Sequence, residues 1–248
     1  MSSQRDLIDY LTRSVDMPTN PVSISQDANR LRQLQWRMLL ATMFCYFFFY
    51  TGRQTFGFAI PGIQEELGLS KSELGWISAV MLWSYALGQF INGNLGDKYG
   101  GRRIMSLGAI ISCGLNWVVS FGTSFASLAI PWAINGYAQS MGWAPGSRVL
   151  SNWWANTERG IVYGAYVFAA GMASVLAFAT SILILELEMD WRWIFRLPVL
   201  LMVIGGVAYY IFIRDRPEDL GFSIVTDDKE EVELPERSGQ LAETSWNR

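Results

Sequence analysis

Residues 45–62 read CYFFFYTGRQTFGFAIPG, an apolar run with one arginine, Arg53, in its middle. Runs of about 20 apolar residues are long enough to cross the hydrocarbon core of a bilayer. A charge inside such a run costs about 2.5–3.5 kcal/mol by insertion scales, so it faces a polar cavity or a partner. Arg53 is too far from either end of the run to snorkel to the interface. The stretch therefore implies a membrane-spanning helix and, beside it, a polar space or a group that neutralises Arg53 and ties helices together.

Outward from this run the same texture repeats. Charged residues are 17% of the chain and hydrophobic ones 51%, against about 25% charged in soluble domains. The polar residues gather at the two ends, which divides the chain into a polar N-terminal segment at 1–35, a transmembrane domain at 36–213 and an acidic tail at 214–248. Within the N-terminal segment, Asp6–Val15 reads as a short surface helix that Pro18 and Pro21 keep from growing. Six spans are expected, at about Trp36–Leu67, Leu74–Leu95, Ile104–Phe121, Leu128–Trp143, Ile161–Leu185 and Trp193–Ile213. The fourth can continue to Trp153 despite Pro145.

Loop charges orient the bundle. Arg30, Arg32 and Arg37 precede the first span, Lys98, Arg102 and Arg103 follow the second, Arg148 and Arg159 flank the fourth-to-fifth turn, and Arg214 and Arg216 follow the sixth. Glu65, Glu66, Glu73, Glu186, Glu188 and Asp190 mark the other face, with Lys71, Arg192 and Arg196 as exceptions. The positive-inside rule then places both termini in the cytoplasm of a multi-pass plasma (inner) membrane protein. Trp153, Trp154, Trp191 and Trp193 fall at span ends, where interfacial anchors are expected. Gly142 with Gly146, and Gly160 with Gly164, are small-xxx-small pairs suited to close helix contact.

Several function classes are disfavoured. No basic run suits nucleic acid, and the lone cysteines Cys45 and Cys113, both in apolar blocks, do not make a disulfide framework. With no histidine in the chain, a zinc or haem site is not expected, and neither is another cofactor. An enzyme would need an acid–base pair or a nucleophile in the cavity, and the spans supply neither. The first 30 residues lack the basic start and apolar core of a cleavable signal.

Binding residues are easier to place. Tyr46, Tyr50 and Arg53 stand at i, i+4 and i+7 on one helix face. Two phenols and a guanidinium in one stripe line a site for an oxyanion, because arginine presents a planar fork of donors. Tyr85, Gln89 and Asn92 repeat this spacing on the second span. Two such stripes on adjacent helices imply a shared cavity near the midplane. The turn GNLGDKYGGRR, residues 93–103, carries Gly93, Asp97, Arg102 and Arg103. Its charges cannot reach a midplane ligand, so their role is conformational. The glycines would let the second and third helices approach, while Asp97 would cap the third helix or pair with a nearby arginine.

That turn resembles the loop signature of the major facilitator superfamily, with one extra glycine relative to the common G-x-L-x-D-K/R-x-G-R-R form. YTGRQTF at 50–56, GYAQSMGWAPGSRVLSNWWANTERG at 136–160 and IRDRPEDLGF at 213–222 resemble the organophosphate:phosphate antiporters, the group of glycerol-3-phosphate and sugar-phosphate exchangers. The resemblance runs in order from about Trp36 to Phe222 and implies an all-α membrane protein, a six-helix bundle like the N-terminal half of such a transporter. It also implies that Arg53 binds a substrate phosphate beside Tyr46, Tyr50 and Tyr85. Gln54 and Gln89 stand where some members have lysine, and Ala170 lies near the place of a histidine, so this cavity is less cationic.

Members of the family have twelve helices in two halves, with a second phosphate-binding arginine on the seventh, and the tail from about Arg214 resembles their central loop. The expectation is a fragment or split-gene product, or else assembly with a second six-helix half or as a homodimer. The expected function is exchange of a phosphorylated organic anion such as glycerol-3-phosphate or a sugar phosphate for inorganic phosphate. The alternative is a membrane sensor for a phosphorylated metabolite, since relatives of these antiporters act as receptors.

Overall fold

The computed structural model describes residues 21–222, with side chains from Ala28 onward. The surface helix expected at 6–15 and the acidic tail beyond Phe222 lie outside the described residues. Among the described residues the chain is all-helical, without strands. Helix α1 spans Pro21–Leu67, α2 Lys71–Tyr99, α3 Gly101–Val119, α4 Phe125–Trp153 and α5 Asn156–Glu186. The sixth span is divided into α6, Arg192–Arg196, and α7, Leu200–Phe212.

Local chemistry accounts for the boundaries. Among the described residues the first helix runs from Pro21, well ahead of Trp36, to Leu67. The stretch before Trp36 then continues the helical pattern, with Leu31 and Leu34 packed on the core and Gln35 buried. Gly68, at φ 65°, stops α1, and Ser70 caps α2: its Oγ accepts from Glu73 N at 3.2 Å while Glu73 Oε2 accepts from Ser70 N at 2.8 Å. Ser124 and Ser127 form the same reciprocal cap on α4, which then runs through Pro131 and Pro145 to Trp153. Pro198 breaks the expected sixth helix, since its ring fits poorly against the preceding turn and it lacks an N–H.

Packing is layered. One apolar cluster, including Met38, Phe49, Met105, Trp153, Tyr166, Met202 and Tyr209, fills the end near the α2–α3 turn. A second, including Phe56, Ile63, Ile77, Trp132, Ile194 and Phe195, fills the other end. Between them on α1, α3 and α4 lie the buried polar residues Thr55, Ser112, Asn116, Asn135 and Gln139. The outer surface is apolar, with Phe90 and Ile161 about four-fifths exposed at 78% and 79%. Such a surface suits lipid and not water. Among the described residues three spans, α2, α5 and α6–α7, are long and apolar enough to cross a membrane by length and composition alone. The other three supply the polar layer.

Three expectations are corrected here. Trp153, Trp154 and Trp191 are buried in the bundle, at 0%, 2% and 5% exposure, instead of anchoring at the interface. Trp153 Nε1 donates to the Arg214 carbonyl at 2.8 Å, so its polar edge is satisfied inside. The two glycine pairs also differ. Gly142 faces Phe49 and Tyr46 and Gly146 faces Tyr166, whereas Gly160 and Gly164 face open space. Finally, the glycines of the α2–α3 turn serve contact with α4: a Cβ on Gly101 would collide with the Pro145 carbonyl, and one on Gly96 would stand 3.2 Å from the Pro145 ring. Gly93 has only an ordinary neighbour, Ala144, at 3.8 Å.

Candidate functional site

The stripe on α1 and the start of the stripe on α2 meet. Tyr46, Tyr50 and Tyr85, with Trp143 from α4 and Val167 and Ala170 from α5, wall a cavity of about 280 Å³. Arg53 adjoins it through two of these rings: its guanidinium carbon lies 4.9 Å from the Tyr50 centroid and 4.1 Å from that of Tyr85. Both distances are within cation–π range. Arg53 Nε is buried and has no hydrogen-bond partner. No carboxylate pairs with Arg53 among the described residues. The charge is therefore held by aromatic faces and left without a counter-ion.

The tyrosines stand on a rigid base. Tyr46 contacts Tyr50, Trp143 and Tyr166, with centroids 5.4, 5.9 and 4.4 Å away. Trp143 stacks on Tyr166 at 5.1 Å and 5°. Tyr166 is fully buried and its hydroxyl donates to the Gly142 carbonyl at 3.0 Å. The cavity floor is thus fixed by contacts between α4 and α5, which gives the cavity a preformed aromatic surface.

The α2 stripe splits. Gln89 is not part of the cavity wall, and its Nε2 is buried without a partner. Asn92 turns to α4, where its Nδ2 donates to Ser140 Oγ at 2.6 Å and to the Tyr137 carbonyl at 3.3 Å. Gln54 donates to Ser174 Oγ on α5 at 2.8 Å. Helical spacing put Gln89 and Asn92 on one face with Tyr85 but could not show that Asn92 bonds to α4, and Gln54 was singled out by the family resemblance and not by spacing.

A buried network behind Arg53 was not foreseen. Thr55 donates to Asn116 Oδ1 at 3.1 Å, and Asn116 Nδ2 to the Ser112 carbonyl at 2.9 Å. Ser112 Oγ donates to Asn135 Oδ1 at 2.6 Å and accepts from Gln139 Nε2 at 2.7 Å. Asn135 Nδ2 reaches the Gly52 carbonyl at 3.3 Å, one residue from Arg53. The network fixes α1 against α3 and α4 at the level of the cavity. A sequence signal existed: Ser112 with Asn116, and Asn135 with Gln139, are i, i+4 polar pairs inside apolar spans.

At the α2–α3 turn, Asp97 pairs with Arg148 of α4, Nε to Oδ1 at 3.0 Å, and so takes the second of its two expected roles. The first belongs to Asp215, whose Oδ1 accepts from Arg102 N at 2.8 Å in the first turn of α3. Arg102 also donates to the Tyr210 carbonyl at 2.5 Å and lies over the Tyr210 ring. Arg103 is exposed at the edge of the same recess, which Gly96 to Arg103, Arg148 and Asp215 line. On the opposite face, Arg192 is neutralised by Glu66 at 2.6 Å and by Asp190 at 3.0 Å. The hydrogen bonds from Arg192, then from Trp191, hold the Glu66 carboxyl below its usual range.

Comparison with known proteins agrees with this architecture. Residues 42–242 match the family model described as the Major Facilitator Superfamily. The probable hexose phosphate transport protein of Chlamydia pneumoniae is 27% identical over 219 residues, covering 88% of this chain and 48% of that protein. The glycerol-3-phosphate transporter of Bacillus subtilis is 28% identical over 197 residues, covering 77% and 44%. The membrane sensor protein UhpC of Escherichia coli is 26% identical over 219 residues, covering 88% and 49%. The chain thus spans about half the length of the curated relatives it matches. Among solved structures, a bacterial homologue of the human lysosomal transporter Spinster, inward-facing and unoccupied, superposes with a TM-score of 0.66 at 15% identity. That match covers 82% of this chain and 47% of the other, and it speaks for the fold alone.

Proposed function

This chain belongs to the major facilitator superfamily, as an integral multi-pass membrane protein, and from that premise we propose that it forms one six-helix half of an exchanger of phosphorylated small organic anions, such as glycerol-3-phosphate or a sugar phosphate, for inorganic phosphate. The observation that carries this reading is Arg53, a membrane-depth cation with no acid partner, set on the Tyr50 and Tyr85 rings beside an aromatic cavity. An uncompensated arginine at this depth calls for an anion. Its fork of donors suits phosphate oxygens, while the tyrosine hydroxyls supply further hydrogen bonds. The names of the relatives, with their hexose phosphate and glycerol-3-phosphate, support the substrate class.

A second half completes the site in this reading. Val167, a wall residue, is 54% exposed, and Gly160, Gly164 and Gly171 on the same helix face open space. A homodimer or a second six-helix chain against this side would close the cavity and allow one unit to rock against the other. The arginine-rich turns support, by the positive-inside rule, a cytoplasmic side for both termini in this reading.

The test is counterflow in proteoliposomes loaded with inorganic phosphate, using labelled glycerol-3-phosphate and glucose-6-phosphate. Exchange by the wild type that falls by about tenfold or more in Arg53→Lys supports the reading, and equal exchange by both sinks it. The relative named as a membrane sensor supports a second reading, detection of a phosphorylated metabolite without net transport. Saturable binding with no counterflow would favour it.

A further inference from the structure

An apolar groove of about 710 Å³ runs along the outer surface between α1 and α7, remote from the aromatic cavity. Its origin is local. The two helices touch tightly at Gly205, where an added Cβ would stand 3.3 Å from Cys45 Cα. Farther towards the ends, Ala41 and Ala208 leave the floor open, and Trp36, Leu40, Phe44 and Phe212 form the sides. These four side chains are exposed at 47%, 59%, 45% and 48%. Only one end of the groove is polar, where Gln33 and Arg37 stand one helical turn apart.

The geometry points to a binding site for one anionic phospholipid, its phosphate on Arg37 and an acyl chain along the floor. Charge complementarity is the first argument. Among the described residues Arg37 makes no ion pair or hydrogen bond; its guanidinium lies 5.3 Å from the Phe212 centroid and has no other partner. Nearby cations and acids are already engaged, Arg32 with Glu158 at 2.8 Å and Asp215 with the α3 N-terminus. Among the described residues Arg30, Lys98 and Arg103 at this end are likewise without an ion pair, but of these cations Arg37 alone lines the groove. Basic pockets between helices at the membrane surface recognise anionic headgroups in this way.

Length is the second argument. From Gln33 to Phe44 the groove follows α1 for roughly 16 Å at the helical rise, close to one leaflet of a hydrocarbon core of about 30 Å. An apolar floor of that depth below a cation selects a lipid over free phosphate. The inference needs only the membrane-embedded fold and is independent of what the aromatic cavity carries.

The test uses the full chain, delipidated in a non-ionic detergent and titrated with dioleoyl phosphatidylglycerol or dioleoyl phosphatidylcholine, with adducts counted by native mass spectrometry. One phosphatidylglycerol is expected to be retained in preference to phosphatidylcholine. Arg37→Gln should cut that preference about fivefold, the effect of one surface cation, while Arg103→Gln, an exposed cation outside the groove, should leave it unchanged. Ala208→Trp, which fills the floor, should lower retention of both lipids with the headgroup contact intact. Equal retention of the two lipids by the wild type overturns the site, as does an equal loss in the Arg103 and Arg37 variants. Phosphatidylglycerol retention that rises on removal of residues 223–248 would also overturn it, because the acidic tail would then be the occupant.

Discussion

The guanidinium carbon of Arg53 lies 4.1 Å from the ring centroid of Tyr85, so a cation from α1 rests on an aromatic face from α2 at the edge of the cavity. The contact joins two helices that otherwise touch little, since α2 packs chiefly on α4. Any ligand that engages Arg53 therefore acts on both.

Arg53→Lys keeps the charge and removes the planar fork. Loss of a charge-assisted bidentate contact is worth about 1.5–3 kcal/mol, so phosphate-ester exchange should fall by about tenfold or more. The melting temperature in detergent should stay near that of the wild type, which separates a lost ligand contact from a lost fold.

Tyr85→Leu removes the ring under Arg53, and Tyr85→Phe removes only the hydroxyl. A partly desolvated cation–π contact contributes about 0.5–2 kcal/mol. Affinity for a phosphate ester, measured by isothermal titration, should fall further in the leucine variant than in the phenylalanine variant. Equal losses would assign the effect to the hydroxyl alone.

Gly101→Ala should destabilise the bundle by about 1–3 kcal/mol, because the new methyl meets the Pro145 carbonyl and the Val149 side chain of α4. Gly93→Ala should be close to neutral, since its nearest neighbour, Ala144, is 3.8 Å from the added Cβ. Thermal unfolding of the two variants side by side tests whether the turn closes on α4.

Glu66 gives a pH dependence with a definite sign. Its carboxyl titrates near 4.5 when free and lower in the fold, where Arg192 and then Trp191 donate hydrogen bonds to it. A depressed folded value means that the stabilisation is fully present above about 4.5 and is lost as pH falls through the lower folded value. The melting-temperature advantage of wild type over Glu66→Gln should therefore be present at about pH 6 and vanish near pH 3. The Glu66 side chain is 44% exposed to screening solvent, so the advantage will be small.

How much of this was legible depends on how far each relationship reaches. Tyr46, Tyr50 and Arg53 could be grouped from one helix, because i, i+4 and i+7 share a face whatever surrounds them. Tyr85 joins them in the structure as the second stripe suggested. Trp143 and Val167 were missed as wall residues, because they come from α4 and α5 and nothing in their own helices points at α1. Asp215 was missed for the same reason: its partner Arg102 is more than a hundred residues away. The break at Pro198 had a visible cause in the proline itself, yet an apolar run on both sides masked it.

The division between apolar spans and polar-layer spans also bears on how the chain enters the membrane. Helices α2, α5 and α6–α7 can partition into lipid one at a time as they leave the ribosome. Helices α1, α3 and α4, which carry Arg53, Asn116, Asn135 and Gln139, gain shelter for those groups only when neighbours arrive. Because α1 packs mainly on α5 and α7, its settled position depends on the last third of the six-helix unit. Biogenesis is then a collective act, in which the segment bearing Arg53 is among the last to find its place.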